Sequence, residues 1–200
     1  MKAVLATAAT IYPITIDELM IYLRIDDDTG YEDDLLDSII YAATKNAEDI
    51  TRRALLTQTW DYYLDSFPAT NAFKLPFGNL QTTDSDVTHI KYTDSDGTQT
   101  TMTVTTDYLV ETNGEQCGRI VLPYGETWPS FTPYPSNPIV IRFVCGWTTA
   151  ALVPFNIKAA ILLACADMYS VRAQKIMALN MAENKTTMRL LMSSRLWDDF

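Results

Sequence analysis

The chain of 200 residues predicts an α+β fold. Its parts are a helical layer (N-terminal helices plus a buried C-terminal helix), a β-rich middle segment containing hairpins, and a short terminal helix or tail. Three observations predict it. Apolar residues from Leu35 to Ala54 recur at three- and four-residue steps, the period of one helix face. From Gln58 the composition switches to aromatic and β-branched residues punctuated by Asp-Gly and Asn-Gly turn signals. After Pro154 a second helical pattern returns. A hydrophobic content of 48% in a chain of this length suffices for one well-cored domain. The pattern therefore reads as a single domain over 1–200: an N-terminal arm (1–13), a helical part (14–57), a β-rich part (58–146), a buried helix (154–175) and a C-terminal tail (184–200).

The elements follow in order. The run after Lys2, AVLATAATI, faintly resembles a signal peptide but is broken by threonines, so it reads as a disordered or partner-clasping arm. Thr15 can cap a helix reaching about Leu23, with Glu18 completing a capping box and Ile16, Leu19, Met20 and Leu23 as its apolar side. A loop at Asp26–Gly30 leads into the long helix, whose apolar face comprises Leu35, Leu36, Ile39, Ile40, Ala43, Ala47, Ile50 and Ala54. Asp33 and Asp34 occupy its first turn and Arg52 and Arg53 its last, each matching the helix dipole. Glu48 with Arg52 and Asp49 with Arg53 are spaced as surface pairs, and the helix spans about six turns.

From Thr59 to Phe67 the residues are strand formers, closed by Pro68. Phe73–Pro76 reads as a short edge strand. Val87–Thr93 and Gln99–Val104 flank Asp94-Ser95-Asp96-Gly97 as a hairpin, and Tyr108–Glu111 pairs with Arg119–Leu122 around Asn113-Gly114. Five of the nine prolines fall between Pro123 and Pro138, marking an extended loop around Trp128 and Phe131. Ile139–Val144 reads as a buried strand. Pro154 suits the opening turn of a helix whose stripe is Ile157, Ala160, Ile161, Ala164, Met168 and Tyr169. Because Ala159–Ala166 is apolar all round, that helix is expected to be covered on every side. The last segment, with Met188, Leu190, Leu191, Leu196 and Trp197, is amphipathic; it either folds back on the core or serves as a docking peptide.

The chemistry of sites narrows the function. Cys117, Cys145 and Cys165 are odd in number and far apart with no CxxC pair, which points to buried free thiols in a reducing compartment rather than disulfides or zinc. His89 is the only histidine and lies in a strand without a partner at motif spacing. No GxSxG, glycine-rich phosphate loop or HExxH is present, so no catalytic, cofactor-binding or metal residue is assigned and no cofactor is expected. Paired carboxylates meet only in space, which keeps a carboxylate-dependent hydrolase as an alternative. A monomeric ligand-binding β module built on Trp60, Trp128, Trp147 and Trp197 is the other.

The net charge of −10 is unevenly spread: residues 1–50 hold eleven acids against three bases. Asp26, Asp27, Asp28, Glu32, Asp33, Asp34 and Asp37 make a dense cluster, which reads either as a solvated loop and helix start or as a functional surface. It fails the EF-hand spacing, since counting back from Gly30 puts Ile25 at the first ligand position. An acidic surface opposes tight nucleic-acid binding, but suits a surface past which DNA slides. No apolar run reaches membrane-spanning length, so a soluble, intracellular protein without membrane contact is expected.

In order along the chain stand DDLLDSIIYAATKNAEDITRRALLTQTW, DYYLDSFP, KLPFGNLQ, VTHIKYTDSDG, DYLVE, GRIVLPYGETWPS, IVIRFVCGW and VPFNIKAAILLACADMY. This series, over roughly residues 15–175, resembles the head–tail connector (adaptor or head-completion) family of tailed bacteriophages, which has relatives in gene transfer agents. Its densest part is Ala42-Ala43, Glu48, Thr51, Arg53 and Thr59-Trp60. Leu75-Pro76, Tyr92 with Asp96-Gly97, Tyr124-Gly125 with Trp128-Pro129, and Phe143 with Gly146 follow. MRLLMSSRLW fits the family's leucine-rich ending. The polar insert Thr82–Asp86 and the long proline loop depart from its pattern.

The resemblance implies a non-enzymatic virion protein at the head–tail interface, present in host cytoplasm during assembly. Identical copies would ring the portal exit, extend the channel through which DNA passes without specific binding, and offer a platform to a tail or stopper protein. It also implies that the C-terminal segment, here Met188, Leu190, Leu191, Arg195, Leu196, Trp197 and Phe200, engages the portal protein. A closed ring needs two unlike adhesive surfaces on each subunit. The helical layer and the proline-rich loop with Trp128, Phe131 and Tyr134 are the expected pair, the latter as the inter-subunit loop. Asp26, Asp28, Asp33, Asp34 and Asp37 are the expected channel-lining acids.

Overall fold

The computed structural model describes residues 2–26, 30, 32–81, 87–170 and 185–197. The chain divides into two compact units: Met1–Ala9 with Thr57–Trp147 and Leu196–Phe200, and Thr10–Leu56 with Thr148–Arg195. Helices fill the second unit and antiparallel sheets the first, so the fold is α+β.

In the helical unit, α1 (Ile16–Leu23) starts on the capping box. The Thr15 hydroxyl accepts from the Glu18 amide at 3.1 Å, and the Glu18 carboxylate accepts from the Thr15 amide at 2.9 Å. Helix α2 (Asp33–Thr51) buries Leu36, Ile39, Ile40, Ala43 and Ala47 along one face, as its periodicity demands. It ends earlier than expected. Arg52 closes it in the left-handed conformation (φ 56°), so neither Arg52 nor Arg53 lies in the last turn and Ala54 is buried beyond the helix. The expected i,i+4 pairs are accordingly replaced. Glu48 takes Lys45 Nζ at 2.7 Å and the Leu55 amide at 3.1 Å, while Arg53 turns inward and donates from Nε to the Ser194 carbonyl at 2.6 Å.

Helix α3 (Phe155–Ser170) packs Ile157, Ala160, Ile161 and Cys165 inward, with the Cys165 sulfur 4.0 Å from the Ile39 carbonyl of α2. Helix α4 (Thr186–Met192) lies against α3 and α2, where Leu191 is fully buried. Asn156 on α3 fastens its end, donating from Nδ2 to the Leu190 carbonyl (3.1 Å) and the Ser194 hydroxyl (2.7 Å).

The β unit holds a five-stranded sheet of order β1-β2-β8-β4-β5. Its strands are β1 (Lys2–Thr7), β2 (Gln58–Leu64), β4 (Val87–Thr93), β5 (Gln99–Met102) and β8 (Ile139–Cys145). Residues 2–7 are thus not a loose arm: they pair antiparallel with β2 from Lys2↔Tyr63 to Thr7↔Thr59 as an edge strand. Pairing with β2 satisfies one side of the β1 backbone, a tertiary gain that composition alone does not announce. In β8, Ile139, Ile141, Phe143 and Cys145 are buried and alternate with half-buried Val140, Arg142 and Val144, the period of a strand with one core face.

The β4–β5 hairpin turns where expected. Asp94 Oδ1 accepts from the Asp96 and Thr98 amides at 3.0 and 2.9 Å, and Gly97 takes φ 82°. A second sheet, β3-β7-β6, contains β3 (Ala72–Lys74), β6 (Leu109–Glu111) and β7 (Arg119–Val121) around fully buried Ile120. Just before β7, Gly118 lies so close to Leu80 that an added Cβ would stand 2.5 Å from its Cδ2, which explains glycine there.

Candidate interaction surfaces

Asp26, Asp33, Asp34 and Asp37 are all exposed, Asp33 and Asp34 in the opening turn of α2. Asp28 lies outside the described residues. Among the described residues no three His, Cys, Asp or Glu side chains cluster as a metal site.

The proline loop is fastened to its own unit. Trp128 stacks on Phe67 (ring centroids 5.0 Å apart, planes 3° from parallel) and donates from Nε1 to the Thr70 carbonyl at 2.8 Å. Phe131 packs on Tyr92 at 4.8 Å and edge-on to Phe67 at 6.2 Å. Tyr134 is exposed, its amide bonded to the Thr93 carbonyl at 3.1 Å. Trp128 and Phe131 thus hold the loop's shape, leaving Tyr134 and fully exposed Tyr124 as its outward aromatics.

The C-terminal segment is split in the same way. Leu191 and Leu196 are buried and Leu190 is half-buried, while Met188 and Trp197 are exposed. Arg195 is half-buried with Nη1 3.8 Å from the Met192 sulfur. Phe200 lies outside the described residues.

Two features escaped sequence reasoning. Asp61 on β2 and Arg142 on β8 stand opposite each other in the ladder and form a fork, Nε to Oδ1 and Nη2 to Oδ2, both 2.7 Å. That hydrogen-bonded guanidinium holds the Asp61 carboxyl below the usual carboxylate range. His89 on β4 is opposite Arg142 in turn. Burial, then the charges of Lys91 and Arg142, push the imidazole below its ordinary value. Cross-strand distance, not sequence spacing, assembles this row.

The second is a groove of about 520 Å³ between α1 and α3, lined mainly by Ile14, Ile21, Tyr22, Phe155, Leu162 and Leu163, with Glu18 and Lys158 also on its walls. Helix α3 is therefore not covered on every side, contrary to its all-round apolar pattern: one flank opens to solvent. The signal was present in that pattern and in Ile21-Tyr22 beside the expected apolar side of α1, but sequence could not show the two flanks meeting.

Cys117, Cys145 and Cys165 are buried and none is in a disulfide among the described residues, and burial pushes the Cys165 thiol up to about 12. No helix among the described residues is long and apolar enough to cross a membrane.

No curated protein sequence matches the chain. Among solved structures, the chain is similar to one in the neck of an empty gene transfer agent (GTA) particle computed with C6 symmetry, at TM-score 0.80 and 22% identity. It is also similar to one in the virion of a native gene transfer agent particle (TM-score 0.76, 21%) and to one in the neck of a native GTA particle computed with C12 symmetry (0.72, 20%). Each match covers 100% of this chain and 98% of the other. At these identities the likeness establishes the fold. A family model described as phage gp6-like head–tail connector protein matches residues 13–113, half of the chain, spanning both helices α1 and α2 and strands β2 to β6. The chain therefore belongs to the phage gp6-like head–tail connector family.

Proposed function

We propose that copies of this chain form a closed ring at the head–tail interface of a virion. There the ring extends the DNA channel beneath the portal and offers a docking platform to a tail or stopper protein. The observation that carries the reading is the match of the entire chain to subunits of particle necks computed with rotational symmetry. Family membership adds a structural rather than catalytic role. A ring of this kind works by shape and adhesion, and the chain offers both.

In this reading Asp26, Asp33, Asp34 and Asp37 border the channel, where a negative wall repels the phosphate backbone and prevents passing DNA from sticking. Met188 and Trp197 meet the portal protein, while Leu191 and Leu196 hold the segment in its own fold. Tyr134 faces a neighbouring subunit from a loop that Trp128 and Phe131 keep rigid.

Particles assembled without the chain test the proposal. They should carry portals and packaged heads but no tails, and added purified chain should restore tail attachment. Normal tailed particles in its absence would refute it. Neutralising Asp33, Asp34 and Asp37 to Asn should leave rings intact and slow DNA passage; unchanged infectivity would remove the acids from the channel.

A further inference from the structure

We infer that the α1–α3 groove is the receiving half of the contact between adjacent copies, and that it takes the Pro123–Glu126 turn of the neighbour with Tyr124 inserted. The inference rests on the ring reading and assigns its head-to-tail contact.

A helix that is apolar all round is normally covered all round, yet α3 leaves Phe155 86% exposed with Leu162 and Leu163 lining an open groove. Across it Ile21 is 78% exposed. Side chains of this size left in water on both walls of one groove mark a surface awaiting a partner. A rotational ring uses a heterologous contact, so the partner surface must be a different patch of the same chain and convex where this one is concave. The β unit presents such a patch. Tyr124 is fully exposed on a tight turn closed by the Glu126 amide on the Pro123 carbonyl at 3.1 Å, so its ring is available to a partner. A tyrosine supplies on the order of 150–250 Å² of contact at small entropic cost, the type of anchor that dominates interfaces.

Charge favours the same pairing. Copies with a net charge of −10 repel one another, so a contact needs local compensation. Of the two charged residues lining the groove, Glu18 is engaged by the Thr15 amide at 2.9 Å in its own capping box, and Lys158 can meet exposed Glu126, two residues from Tyr124.

The test uses the full chain assembled on portal-bearing particles. A variant carrying both Tyr124→Cys and Leu162→Cys should form a ladder of disulfide-linked multimers, and neither single variant should do so. Lys158→Glu and Glu126→Lys should each weaken ring occupancy roughly tenfold, as like charges now meet, and the double reversal should restore it. Rings that image normally yet give no ladder, or no rescue, overturn this contact and leave the ring reading standing. A cross-link from residue 162 to a different virion protein also overturns it. Absence of any ring on the particles overturns both.

Discussion

Replacing Asp61 with Asn tests the electrostatic latch at the middle of the large sheet. The side chain keeps its shape, but one oxygen that accepts from Arg142 becomes an amide donor facing another donor. Asp61 is 11% exposed at its side chain and Arg142 41%, so the carboxylate is nearly dry while the guanidinium is partly screened. A charge-assisted hydrogen bond contributes about 1.5–3 kcal/mol, and discounting for the exposed partner leaves a cost of about 1–2 kcal/mol. For a chain of this size that lowers the unfolding midpoint by about 3–6 °C.

The pH dependence follows from the direction of the shift. Arg142, chiefly through its hydrogen bonds, depresses the folded-state value of Asp61. Its contribution is then complete above the unfolded value, near pH 4, and disappears as pH falls through the lower folded value. Urea unfolding of both proteins at neutral pH and across the acid range measures it. The gap between wild type and variant should close on acidification. A gap below about 0.5 kcal/mol at neutral pH, where ordinary surface substitutions fall, would show that the fork contributes nothing. A gap that persists undiminished below the folded value would show that it acts through packing instead.

Further outcomes follow from the same geometry. Leu191→Ala should cost about 2–4 kcal/mol by opening a cavity where α4 lies on α3, whereas Met188→Ala should change stability by no more than about 0.5 kcal/mol and yet weaken portal binding; a pull-down beside a melting curve separates the two effects. Trp128→Ala should cost about 2–4 kcal/mol by removing the stack on Phe67 and the bond to Thr70, and limited proteolysis should then cut within 123–138; an unchanged digest would show that the loop needs no anchor. The Cys165 thiol should resist alkylation at pH 8 until denaturant is added, because burial keeps it protonated; rapid native labelling of that site by mass spectrometry would contradict its placement.

Local signals with short range were legible in the sequence. The Thr15–Glu18 box, the dipole-matched start of α2 and the Asp94–Gly97 turn each require only a few adjacent residues, and all three form as read. The end of α2 carries no such local signal, since its left-handed cap is Arg52 and no glycine marks the stop. Strand β1 is not legible locally because its identity comes from β2, some fifty residues away in sequence. The proline loop was legible as a loop, but its anchoring through Trp128 depends on Phe67 and Thr70 arriving from another segment. For the candidate surfaces the division is similar. Composition located the acidic cluster and the aromatic tail; which tail residues are spent on the chain's own core emerged only when α4 was seen on α3.

Imaging of purified chain mixed with portal-bearing, tailless particles tests the central claim most directly. A symmetric collar of density beneath the portal, into which this fold fits repeatedly around a continuous channel, is the predicted result. Portal vertices that remain bare at saturating chain, or density bound as isolated copies without a closed ring, would contradict it.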